Sequence, residues 1–277
     1  MKLYVSCDME GTAAVCSWMQ CDPSNTAEYP IYRRYMSREV AAAIEGARAA
    51  GVGDVLVNDS HWDMRNLLWD ELPADVRVIS GSRKPFSMTQ GMSSGFDAAF
   101  FTGYHARVGD ENGVLAHTYT AETLYNVRVN GVACSEALLN AAMCGHYGIP
   151  VLLITGDSVT VEHVRGHLPW VTPVAVKDGI GHYSTESMTP AAAQDAIRAG
   201  AERAIRAAAS AKLFTFEPPV VLEIDTARSE QADFIELMPG FERTAGRTVR
   251  YRAAEYPEAF RAFVAAFRLG SAANVPA

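Results

Sequence analysis

Asp54-Val55-Leu56-Val57-Asn58-Asp59-Ser60-His61 is the stretch on which the fold turns. The run from Asp54 to Val57 is apolar and β-branched, the mark of a buried strand, and it gives way at once to polar residues ending in an imidazole. The pattern recurs along the first half of the chain. Leu3 to Cys7 runs into Asp8-Met9-Glu10-Gly11, Ala98 to Thr102 into Gly103-Tyr104-His105, and Val151 to Thr155, after Pro150, into Gly156-Asp157; Val76 to Ser80 is a further apolar run. Between the first two strands, residues 31–50 show helical spacing, with a charged face of Arg34, Arg38, Glu45 and Arg48 and a stop at Gly51. Strands separated by helical segments imply right-handed crossovers: an α/β fold with a mostly parallel sheet and helices on both faces.

Two segments break the alternation. Residues 118–134 read as a β-hairpin turning at Asn130-Gly131, a dipeptide that tolerates positive φ at both positions, and a helix from Ser135 to about Tyr147 follows. Thr189-Pro190 opens a long alanine-rich helix, threonine as cap and proline in the first turn. Beyond Phe214 the composition changes. Pro218-Pro219 punctuates, Val220 to Ile224 and Arg247 to Arg252 read as strands, and Arg228 to Leu237 and Pro257 to Leu269 as helices. The expected organisation is an α/β metal-binding domain over residues 1–212 and a smaller α+β unit over 213–277, with the hairpin packing against the second.

The bulk properties exclude several classes. A net charge of −8 with pI near 5.4 leaves no basic stripe for nucleic acid. No apolar stretch reaches membrane-spanning length, and the opening Met1-Lys2-Leu3-Tyr4-Val5 has no signal-peptide core. The five cysteines are odd in number and lack CxxC spacing, so a reducing cytoplasm is the expected location. Cys16 and Cys21 read as plain thiols, with a pairing or a metal as the alternatives. There is no GxSxG elbow, P-loop, GxGxxG after a strand or HExxH.

What remains is a set of carboxylates and imidazoles. Asp8 and Glu10 stand two apart at a strand end, so both face one side and could reach one metal or bridge two. Taken alone, they are equally two solvated acids, His61 a turn residue, His105 a satisfied core histidine, and Glu136 an acid complementing a helix dipole. Their register joins them. Asp8, His61 and His105 each follow the carboxyl end of a predicted strand, where open α/β sheets place ligand sites. Two or three carboxylates with two imidazoles suit one or two divalent transition metals, zinc first. His117, twelve residues past His105, is a further ligand or a proton-transfer group. His146, His163 and His167 have no such context. Lys177-Asp178-Gly179-Ile180-Gly181-His182 reads as a glycine-rich loop, able to hold an anion or to be a surface turn with a solvated lysine. A cysteine nucleophile at Cys7 or Cys134 ranks below the metal reading, because zinc would capture a thiolate beside those ligands.

Lys2 to Gly11, Val57 to His61, Ser80-Gly81-Ser82-Arg83-Lys84-Pro85-Phe86-Ser87-Met88 and Gly103-Tyr104-His105-Ala106 resemble the bacterial zinc-dependent D-aminopeptidases encoded with dipeptide-transport operons. Gly113 to His117, Glu136, Asn140-Ala141, Pro150 to Leu152, Ala175 to Lys177 and Leu237-Met238-Pro239-Gly240 extend the similarity in order along nearly the whole chain. The resemblance implies that Asp8, Glu10, His61, His105 and Glu136 bind two zinc ions per subunit and that His117 acts in catalysis. It further implies a self-compartmentalising homodecamer of two stacked pentamer rings, with sites facing an inner cavity. Ser135 departs from the glycine that usually precedes the last glutamate. The expected activity is a dinuclear zinc aminopeptidase that removes the N-terminal residue of short peptides or amino-acyl amides, those containing D-amino acids first, with Asp8 as bridging carboxylate. The rivals are a metal-dependent amidohydrolase on a non-peptide amide and a non-catalytic dipeptide carrier.

Overall fold

Six parallel strands carry the alternation into three dimensions. They are β1 (Lys2–Cys7), β2 (Asp54–Asp59), β3 (Arg77–Ile79), β4 (Ala98–Tyr104), β7 (Val151–Asp157) and β8 (Thr172–Gly181), and β9 (Ser184–Ser187) adds an antiparallel edge. The sheet order is β3-β2-β1-β4-β7-β8-β9. The chain therefore builds outward from β1 in one direction, then restarts at β4 on the other side, and the strand order reverses between these two neighbours. The computed structural model describes residues 1–92 and 95–274; the last three residues of the expected second unit lie outside that span.

Side-chain alternation along β1 explains how both faces are covered. Leu3, Val5 and Cys7 join the core formed with α2 (Tyr29–Ala49) and α5 (Pro190–Arg206). Tyr4 on the opposite face joins a second core containing α3 (Glu136–His146) and α7 (Tyr256–Ala272). Burial of such apolar side chains stabilises by about 25 cal/mol per Å² removed from water. The long helices start as their sequences dictate: Thr189 caps α5 through its hydroxyl, Ser135 caps α3, and a proline lies in the first turn of α2, α5 and α7.

The Asn130-Gly131 turn has φ of +49° and +81°, as a two-residue hairpin with native twist requires. Its strands, β5 (Leu124–Val129) and β6 (Val132–Ala133), belong to a second sheet of order β11-β12-β10-β5-β6, with β10 (Val220–Thr226), β11 (Phe241–Ala245) and β12 (Thr248–Ala253). All of its pairings are antiparallel. The sequence pattern did not show β9, β11, α4 (Ser158–His167) or the one-turn α1 (Trp18–Cys21). α6 (Ser229–Glu236) completes the set.

The glycine-rich segment at 177–182 is not a loop. Residues 177–181 continue β8, with Lys177 opposite Asp157 of β7 and Asp178 opposite Glu186 of β9. The glycine at 179 serves close approach: a Cβ there would lie 1.8 Å from the Asn112 carbonyl oxygen. Lys177 is 3% exposed, and its ammonium donates to three backbone carbonyls and does not face solvent. Among the described residues, no helix is long and apolar enough to cross a membrane.

Candidate metal centre

The strand-order reversal places the carboxyl ends of β2, β1 and β4 side by side, with Cys7 opposite both Asp59 and Thr102. Asp8, His61 and His105 leave those three ends and meet at one edge of the sheet. The Asp8–Gly11 turn is stitched to the end of β4: the Asp8 N–H donates to the Thr102 carbonyl and the Gly11 N–H to that of Gly103, both at 2.8 Å. Two glycines permit this. A Cβ on Gly11 would lie 1.8 Å from the Tyr104 oxygen; Gly103 adopts φ +68°, and its Cβ would sit 2.2 Å from the Asp8 oxygen. From below, Lys177 Nζ donates to the carbonyls of Glu10, Thr12 and Val15 at 2.5, 2.9 and 2.6 Å. The buried ammonium is thus a clamp on the turn that carries Glu10.

His61 rides on a loop held by Asp59, whose carboxylate accepts from the N–H groups of Asn66 (2.6 Å) and Leu67 (2.8 Å). Glu136 projects from the first turn of α3. Ser135, the departure from the expected glycine, supplies the N-cap by accepting from the Leu138 N–H at 3.3 Å. Each imidazole is oriented through the nitrogen that faces a backbone carbonyl, which can only accept. His61 Nε2 donates to Cys21 (2.9 Å), His105 Nδ1 to Ala106 (2.9 Å) and His117 Nδ1 to Leu115 (2.8 Å). His61 Nδ1, His105 Nε2 and His117 Nε2 are thereby left facing the cluster, the atoms that would offer a lone pair to a cation taking the place of their proton.

The convergence has a two-part geometry. His61 Nδ1 lies 3.2 Å from Asp8 Oδ1 and 3.0 Å from Glu10 Oε2. His105 Nε2 lies 3.4 Å from Asp8 Oδ2 and 3.2 Å from Glu136 Oε1. Asp8 thus offers one oxygen to each imidazole, with Glu10 on one flank and Glu136 on the other. The His117 ring stacks on His105 with centroids 3.9 Å apart, and its Nε2 stays 3.8 Å from Glu136 and 4.0 Å from Glu10. All six side chains are buried. The close-packed donor groups include Asp8, Glu10 and His105, then His105, His117 and Glu136, and also Glu10 and His61 with the Cys21 thiol.

Charge shows what the cluster lacks. Burial pushes Asp8 up, and the neighbouring Glu10 carboxylate adds to it, to about 7. Burial also works against ionised Glu10 and Glu136, but the facing imidazoles His61 and His105 outweigh it and hold both acids below the usual range. The imidazoles respond in kind. Burial opposes their charge, yet Glu10 and Asp8 hold His61 well above its ordinary value, and Glu136 raises His105 to about 10. His117, by contrast, is lowered to about 4 by burial and by the charge on His105. Three carboxylates so deep in the protein demand positive charge among them. Glu10 Oε2 and His105 Nε2 are buried without a hydrogen-bond partner, although His61 lies 3.0 Å from the first and Asp8 and Glu136 lie 3.4 and 3.2 Å from the second. Buried donors lacking partners, carried by carboxylates and imidazoles, fit one or two zinc-type cations.

The cluster opens into a cavity of about 910 Å³ whose wall includes Trp18, Trp62, Arg83, Tyr119, Phe267 and Arg268. Trp18 sets its ring edge-on to His117 at 5.1 Å. Sequence reasoning missed Trp18, since a lone tryptophan carries no ligand signature, and read Lys177 as an anion holder or a solvated lysine and not as the clamp beneath Glu10. Cys16 and Cys21 are free thiols. Cys7 and Cys134 are buried, their thiols raised by burial, well above the usual range for Cys7 and to about 12 for Cys134. That is the reverse of an activated nucleophile. His146, His163 and His167 are not part of the cluster; His163 and His167 pack on each other at 5.3 Å.

Comparison with known proteins agrees with this architecture. A family model described as D-aminopeptidase matches residues 1–265. A D-aminopeptidase of Bacillus subtilis (strain 168) is 35% identical over 268 residues, covering 95% of this chain and 96% of the relative. A solved structure described as the Zn-dependent D-aminopeptidase DppA from Bacillus subtilis, a self-compartmentalizing protease, superposes with a TM-score of 0.96 at 33% identity over the full length of both chains.

Proposed function

The chain belongs to the D-aminopeptidase family of hydrolases, and from that premise we propose that it is a dinuclear zinc aminopeptidase releasing the N-terminal residue of short, D-amino-acid-containing peptides or amino-acyl amides. The observation that carries the two-metal reading is the placement of Asp8. Its Oδ1 faces His61 and its Oδ2 faces His105, so one carboxylate can bridge a Glu10–His61 half and a Glu136–His105 half. The D preference is taken from the family and from both relatives.

When bound, a zinc pair supplies a water-derived nucleophile at neutral pH and polarises the scissile carbonyl. The chain's own residues supply the rest. His117, with Nδ1 committed to the Leu115 carbonyl, offers Nε2 to accept a proton from the attacking water and return it to the leaving amine. His105, stacked beneath, fixes the plane of that ring. Trp18 shields its edge from solvent. Lys177 and the Thr102 and Gly103 carbonyls hold the Asp8–Glu10 turn rigid, so that both acids are preorganised rather than recruited.

The assembly we propose is the self-compartmentalising homodecamer implied by the resemblance, located in the cytoplasm. Support comes from the description of the solved relative and from exposed Ile180, Tyr183 and Met188 on and beside the β8–β9 edge. Turnover of matched D-Ala and L-Ala dipeptides, free and N-blocked, by the zinc-loaded protein tests the activity. Hydrolysis only with a free amine and a D residue is expected. Hydrolysis of N-blocked substrates at the same rate would favour the amidohydrolase, and tight binding without turnover the carrier.

A further inference from the structure

The segment Ser80–Met88 has no role in the metal cluster, yet the fold fixes it firmly. The Gly81 N–H donates to the Met64 carbonyl at 2.6 Å, Ser80 Oγ reaches the same oxygen at 3.1 Å, and Lys84 Nζ donates to the Asp59 carbonyl at 2.6 Å. Between these anchors Arg83 adopts φ +66°, a left-handed conformation that residues with a side chain rarely take. Its side chain lines the cavity of the metal cluster. A second arginine, Arg268, reaches the same cavity from α7, which packs with the other sheet. Among the described residues, neither guanidinium has a hydrogen-bond partner or a carboxylate within ion-pair distance, whereas Arg38, Arg77, Arg128 and Arg250 each have one.

A chain of contacts ties Arg268 to the reacting centre. Its guanidinium lies 5.2 Å from the Phe267 ring, that ring lies 5.1 Å from Tyr119, and the Tyr119 N–H donates to Glu136 at 2.6 Å. A short peptide has two charged ends. Its amine has carboxylates to meet at the cluster, and its other end is an anion. Asp22 and Glu122 also face the cavity and repel that anion, so the unpaired guanidiniums are the places where it can be held.

We propose that Arg83 and Arg268 form a carboxylate subsite that binds the free C-terminus of the substrate. The enzyme then favours peptides with a free C-terminal carboxylate over the corresponding C-terminal amides. The subsite deepens the aminopeptidase reading and rests on it.

The test compares D-Ala-D-Ala with its C-terminal amide, using the zinc-loaded full-length enzyme, Arg83→Ala, Arg268→Ala, the double variant and Arg268→Lys. Zinc content and molar mass by light scattering are followed throughout. Wild type is expected to favour the free acid by about 10- to 100-fold in kcat/KM, the scale of hydrogen bonds to a charged group. Each alanine variant should erode that preference, the double variant should abolish it through KM, and Arg268→Lys should recover part of it. Equal handling of acid and amide by wild type, equal losses on both by the variants, or a change of assembly state on removing Arg268 would each overturn the subsite, the last by assigning the guanidinium to a subunit contact. Wild type that cleaves neither compound would instead overturn the aminopeptidase reading, and the subsite with it.

Discussion

The two sheets of this molecule treat charge in opposite ways. The parallel sheet delivers Asp8, His61 and His105 from three adjacent strand ends into a buried group, where they meet Glu10 and Glu136. The antiparallel sheet lays Arg128, Glu223, Asp225 and Arg250 across a half-exposed face, pairing Arg128 with Asp225 at 2.6 Å and Arg250 with Glu223 at 3.0 Å. In the first region every charge depends on its neighbours, because water cannot replace a lost partner. In the second, water can, and each pair contributes about 1 kcal/mol or less. Burial is what turns one region into a reactive centre and leaves the other a surface ladder.

The largest effect should follow from breaking the buried group. His61→Ala or His105→Ala is expected to lose zinc and activity together, as metal analysis beside turnover would show. His117→Ala separates ligand from proton carrier. It should retain zinc and lose kcat by about 10²-fold or more; stoichiometric zinc loss would make His117 a ligand. Next comes the clamp beneath the centre. Lys177→Met strips three buried carbonyls of their donor and should cost about 2–3 kcal/mol in urea unfolding, with weakened zinc retention.

A smaller effect concerns Glu39, buried on α2, where it accepts from the Ala13 N–H at 2.9 Å. Burial raises its carboxyl from 4.5 to about 7. A folded-state value above the unfolded one means that the native protein holds the extra proton, so this contribution to stability is complete below about 4.5 and is lost as pH rises through about 7. Glu39→Gln should therefore flatten the stability–pH curve in that window and be more stable than wild type above it, as thermal melts at pH 5 and 8 would reveal. The smallest effect belongs to the surface ladder. Arg250→Ala should change stability by no more than about 1 kcal/mol, less still in high salt. A loss as large as that of Lys177→Met would erase the contrast between the sheets.

The sequence made one half of this contrast visible. Apolar β-branched runs ending in polar residues marked β1, β2, β4 and β7, because strands buried on both faces have few other sequences open to them. The same register exposed Asp8, His61 and His105, the two-residue spacing from Asp8 brought in Glu10, and the kinship motifs gave roles to Glu136 and His117, which the residues alone left open. Lys177 stayed hidden because its three partners are backbone carbonyls about 165 residues away in the chain, and backbone carries no signature. Gly179 and Gly181 misled for a related reason: glycine signals close backbone approach inside a strand as readily as a loop. Arg83 and Arg268 are far apart in sequence and share only a cavity wall. α4 was missed because a short helix with several polar residues, packed on β7 and β8, shows weak periodicity.

The most direct test of the whole account is anomalous scattering at the zinc edge from crystals of the zinc-loaded protein. Two peaks are expected, one between Glu10 and His61, the other between Glu136 and His105, with Asp8 contributing an oxygen to each. A single peak with Asp8 bound on one side only would contradict the bridge, and no peak among these five side chains would contradict the metal centre itself.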